Sequence, residues 1–247
     1  MREFVIYFDR ENMEILKVLK TRLENDFGGV KHACTFHTTD FCYMLLFAVV
    51  DDDFSQFLKT TESFVIKFVL DKKMELINQF FLDKDYLDCS RMETIKTFLF
   101  AFDKESDINL TKRLFQPFQD SIKLEEFYSF TLKPLKDKWA NLINLATENL
   151  DLFVEDDGLI EFTKFLVENS SVESEFFFIE KQNNNYLITT DKEKKIVVSD
   201  YDSLSGILNQ IIKYMPMKVI VNNCNNVDVV VLSALRNIMQ EKLILNS

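Results

Sequence analysis

The chain has 247 residues, with 40 acidic and 29 basic side chains for a formal net charge of −11, and only 4 Gly, 3 Pro and 2 His beside 25 Phe. Four scattered glycines cannot build the clustered loops that cradle phosphates or dinucleotides. Two histidines leave little for a His-rich metal centre, and the acidic balance argues against nucleic acid as the main partner.

Glu3 to Phe8 is a short, mostly apolar stretch and reads as a strand. Asp9 can cap a helix over 11–25, with Met13, Leu16, Leu19 and Leu23 on one face, closed by Gly28-Gly29. Val30 to His37 and Phe41 to Val50 are rich in strand formers. Separated by Thr38-Thr39-Asp40, they predict a hairpin. Asp51-Asp52-Asp53 then opens a helix to about Asp71, and a further helix covers 73–81. From Asp85 to Ser170 the pattern is helical. Met92, Ile95, Phe98 and Leu99 share a face, and Asp107 or Asn109 caps a helix that ends near Lys123. Pro134 suits the first turn of a helix from about Lys133, with Leu132, Leu135, Trp139, Leu142, Leu145 and Leu150 on its apolar side. Asp156-Asp157-Gly158 breaks the chain before a last helix, 159–168.

The tail changes character. Strands over 175–181 and 186–190 flank the turn-forming run 182–185. A third strand covers 196–199, and a helix capped by Asp202 or Ser203 reaches about Tyr214. Pro216 precedes a strand over 218–221. A helix over 227–240 and a strand over 242–245 complete a parallel crossover. Residues 175–247 hold 8 acids and 8 bases, so the whole −11 belongs to residues 1–174. The expected fold is α+β: an N-terminal β-α-β-β-α module over 1–83, a helical region over 84–170 and a C-terminal α+β module with a small mixed sheet over 171–247.

Candidate sites are few. His32, Cys34, His37 and Cys42 place both histidines and half of the cysteines within eleven residues. Imidazole and thiolate suit zinc, but the spacing matches none of the usual paired-ligand signatures. His32 and Cys34 project to one face of a strand and His37 to the other; the hairpin turn can return Cys42 toward them. Asp51 to Asp53 resembles a cation cluster, although acids at a helix start also complement the macrodipole. Phe176-Phe177-Phe178 reads as a buried strand, or as a protein-binding patch if half of it faces solvent. The four cysteines read as reduced, mostly buried thiols. No leader peptide or apolar span of membrane length is visible, so the expected location is cytoplasmic.

Three segments carry a resemblance. Phe127-Tyr128-Ser129-Phe130-Thr131-Leu132-Lys133 follows a pattern F-x-x-F-R-L-K, with Thr131 in place of the arginine. Glu161-Phe162 fits an acidic-aromatic helix, with Leu159 where a tyrosine is usual. Pro216-Met217-Lys218-Val219-Ile220-Val221 follows P-x-x-I-I-I. In this order, over 124–245, the chain resembles the YtxC family of sporulation proteins from endospore-forming bacteria. The resemblance implies a cytoplasmic bacterial protein linked to sporulation, with no established activity. The expectation is a non-enzymatic protein without cofactor that acts through a protein partner. The alternative is a metal-binding or redox-sensing module at His32, Cys34, His37 and Cys42.

Overall fold

The computed structural model describes residues 1–9, 30–81, 89–116, 118, 120–199 and 203–246. The expected helix over 11–25 and Gly28-Gly29 lie outside the described residues. The rest is mixed α+β, as the patterning predicts, with two sheets and helices between them in sequence. The chain divides into two compact units. One comprises Met1–Lys73 and Ser106–Ala140; the other comprises Met74–Glu105 and Asn141–Ser247. The helical stretch 84–170 is thus shared between them.

In the first unit, β1 (Arg2–Asp9), β2 (His32–Thr38) and β3 (Cys42–Val49) are joined by β4 (Ser121–Lys123) in the order β2-β3-β1-β4. β1 and β2 each pair antiparallel with β3, and β4 lies parallel to β1. Strand alternation puts Phe4, Ile6 and Phe8 of β1 beside Phe47, Leu45 and Tyr43 of β3, all buried. Phe57 of α1 (Phe54–Phe80) meets Phe4 and Phe47 at ring distances of 5.6 and 5.1 Å. α1 is one helix, where the charged run Asp71-Lys72-Lys73 suggested two. The run interrupts nothing, because Lys73 continues the buried stripe Phe57, Thr61, Val65 and Val69 at four-residue spacing. Asp51–Asp53 forms a short 3₁₀ turn ahead of it, and Asp53 accepts the Lys31 N–H.

α2 (Cys89–Ala101) buries Ile95, Phe98 and Leu99. α3 (Lys104–Phe115) starts before Asp107, so Asp107 is not its cap; it lies on the buried stripe with Thr111 and Phe115. The helix ends eight residues short of Lys123 because β4 follows. A π-helical turn over Phe127–Thr131 leads into α4 (Lys133–Glu148), with Pro134 in the first turn as expected. Leu132, Leu135, Trp139 and Leu150 are buried and Leu142 packs half-buried against the core, as expected, whereas Leu145 is exposed and Ile143 and Ala146 join the buried side instead. α5 (Asp156–Asn169) begins at the acidic pair rather than after it, and Arg91 donates to Asp156.

The second sheet has the order β7-β6-β5-β8-β9, from β5 (Ser174–Gln182), β6 (Asn185–Thr190), β7 (Lys195–Ser199), β8 (Pro216–Asn222) and β9 (Leu243–Leu245). β8 and β9 are parallel, as the crossover requires. α6 (Ser203–Tyr214) and α7 (Val229–Met239) build one core with Phe177, Ile179, Tyr186, Ile188, Val198, Val219 and Val221. A Cβ on Gly206 would stand 2.5 Å from Val198 Cγ1, so the glycine sets how closely α6 approaches β7. No described helix is long and apolar enough to cross a membrane.

Candidate functional site

The β2–β3 hairpin forms, but its register divides the His/Cys group. Thr38 pairs with Tyr43 and His37 with Met44. His32 and Cys34 therefore share one face, while His37 and Cys42 share the other. The expected return of Cys42 toward His32 and Cys34 fails because the turn has three residues, Thr39 to Phe41, which gives Cys42 the parity of Met44. Cys42 Sγ lies instead 3.3 Å from Thr39 Oγ1. Among the described residues no three His, Cys, Asp or Glu side chains are grouped to hold a metal. None of the four cysteines is in a disulfide; three are half-buried and Cys89 is exposed, less enclosed than expected.

The Phe176–Phe178 run is split by strand alternation. Phe177 is fully buried under α6, 6.0 Å from the Tyr214 ring. Phe176 and Phe178 are half-buried on the opposite face and stack on each other at 6.3 Å. Register extends that face across the whole sheet. Phe178 pairs with Ile220, which pairs with Ile244, and Leu187 pairs with Val197. Val197 is 66% and Ile244 40% exposed. Phe176, Phe178, Leu187 and Ile220 are half-buried, and none of the six packs against the hydrophobic core. They form a band from one edge of the sheet to the other. Lys195 and Lys218 border it at one end of the strands, and Glu180, bonded to Gln182 and Asn223, sits toward the other.

Two polar networks were not apparent from the sequence. In the first unit, Asp107 is fully buried. Its Oδ2 accepts from Lys73 Nζ at 2.8 Å and Trp139 Nε1 at 2.9 Å, and its Oδ1 from Lys138 Nζ at 2.9 Å. In the second, Tyr186 donates its hydroxyl to Asp228 Oδ2 at 2.5 Å, and Lys181 Nζ reaches both oxygens of Asp228 at 2.9 and 3.1 Å. The Asp228 N–H donates back to the Tyr186 hydroxyl at 3.1 Å. The ends of β5 and β6 are thereby tied to the start of α7. Burial, then the bond to Asp228, pushes the Tyr186 phenol up to about 12. Such a phenol stays protonated and cannot serve as a base at neutral pH.

The sign of that shift gives a stability prediction. The ordinary phenol titrates near 10, so the folded state holds the proton more tightly than the unfolded one. The stabilisation is present below about pH 10 and is lost as pH rises through about 12. Urea melts at pH 9 and 11.5 should show the wild type losing more stability than Tyr186→Phe. Equal losses would show that this hydroxyl does not couple to folding.

A shallow groove of about 660 Å³ on the first sheet is lined by Arg2, Glu3, Val5, Tyr7, Asp120 and Ser121. Its polar groups are of mixed charge and none forms a nucleophile–base pair. No family model, no curated protein and no solved structure matches this chain.

Proposed function

We propose that this is a non-enzymatic protein that binds another protein through the outer face of its second sheet. The observation that carries the reading is the band of Phe176, Phe178, Leu187, Val197, Ile220 and Ile244, which spans five strands outside the core. Aliphatic side chains surrounding a stacked aromatic pair suit a protein surface, where a few buried aromatic anchors dominate binding. The resemblance to sporulation proteins would place that partner in spore formation, which deletion of the gene and a count of heat-resistant spores would test.

A photo-crosslinking residue at position 197 tests the surface directly in cells of the source organism. The expected result is an adduct that is missing when the crosslinker replaces the exposed Val230 of α7 and is lost on adding Phe178→Asp. Equal labelling from positions 197 and 230 would sink the assignment.

A further inference from the structure

We propose that the partner presents to this face an amphipathic helix whose apolar stripe is flanked on one side by carboxylates. The inference rests on the outer face being a docking surface and adds the chemistry of what docks. Pairing register arranges Val197, Leu187, Phe178, Ile220 and Ile244 as a path from β7 to β9. Four strand spacings make that path roughly 19 Å long, the length of about thirteen helical residues. A sheet face is commonly covered by a helix, and one helix of ordinary length spans this one.

The two sides of the path differ. Lys195 pairs with Thr189 and Lys218 with Phe176, so both lie on the side toward the N-terminal end of β5. Both are exposed, and neither ammonium group is hydrogen-bonded or ion-paired to a described residue. Three strand spacings separate them, roughly 14 Å, so carboxylates about ten residues apart on one flank of a helix meet both amines. The opposite side carries Glu180, Asn222 and Asn246, already engaged with Gln182, Asn223 and each other. A helix with an acidic flank therefore has one favoured orientation on the sheet.

Two synthetic helical peptides test this, each of eighteen residues with the same Leu/Phe stripe, one with Glu and one with Lys along the same flank. Fluorescence anisotropy with the full-length chain should show the Glu peptide binding at least about tenfold tighter at low salt, an advantage that shrinks toward 1 M NaCl. Exchanging both amines, Lys195→Glu with Lys218→Glu, should reverse the preference without changing the melting temperature. Equal binding of the two peptides would overturn the acidic flank and leave the docking face standing. Binding of neither would overturn the helical ligand, while crosslinking from position 197 would still decide whether the face docks at all. Displacement of the Glu peptide by a single-stranded oligonucleotide would overturn the proposal in favour of a nucleic-acid platform.

Discussion

Asp107→Ala is expected to destabilise the first unit by about 3–5 kcal/mol, the range found when one partner of a buried ion pair is removed. Asp107 is fully buried, Lys73 is 1% exposed, and the same carboxylate also receives Lys138 and the indole N–H of Trp139. The substitution takes the carboxylate from three donors at once, two of them cationic. Asp107→Asn should cost nearly as much, because it keeps the shape while removing the charge that faces two ammonium groups. Lys73→Met combined with Asp107→Leu should recover much of the loss, since buried pairs replaced by apolar groups of similar volume are often neutral. Trp139 is the only tryptophan in the chain, so its emission follows denaturation of this unit directly. A loss below 1 kcal/mol for Asp107→Ala would mean that water reaches the network.

Gly158→Ala is expected to cost about 3 kcal/mol, at the upper end of overpacking because the obstacle is main chain. An added Cβ would stand 1.6 Å from the Leu152 carbonyl oxygen, a separation no rotamer relieves. The helical turn Asp151–Val154 must then move away from α5, and Phe153 moves with it. That ring stacks on Phe162 at 4.3 Å and meets Phe98 at 5.8 Å, so the aromatic cluster opens as well. A thermal melt should fall by about 6–12 °C for a chain of this size. A change within 2 °C would show that the two turns separate without strain.

These two positions also show where the sequence was legible. Short apolar runs such as Phe4-Val5-Ile6 or Tyr186-Leu187-Ile188 were readable as strands, while the alternation of their burial is held by register, since a one-residue slip would expose every core side chain. The turn-rich tail was readable almost to the residue. Gly158 was recognised as a break, but glycine marks a close approach as readily as an end of helix, and only the neighbouring carbonyl distinguishes them. β4 carries no periodic signal in three residues and exists through its pairing with β1. Lys73 could have been suspected, since it interrupts an apolar stripe at four-residue spacing with a charge between Val69 and Ile77. What no local pattern supplies is its partner, because Asp107, 34 positions on, is followed on its helix face by Thr111 rather than by an apolar stripe. The outer band was only partly visible: Phe176 and Phe178 stood out, while Val197, Ile220 and Ile244 join them only through strand order. The His/Cys group was conspicuous in sequence, yet strand parity separates its members.

The discontinuity of the first unit has a consequence for how the chain matures on the ribosome. The strand that completes its sheet, the carboxylate that meets Lys73 and the indole beside it all emerge after residue 105. Domains generally fold as units during synthesis, N-terminal ones first. Here the first seventy-three residues must wait through thirty-two that belong to the other unit before they can close. A nascent chain arrested before Trp139 should therefore remain protease-sensitive throughout. Resistance in the N-terminal part should appear only when residue 140 has cleared the exit tunnel.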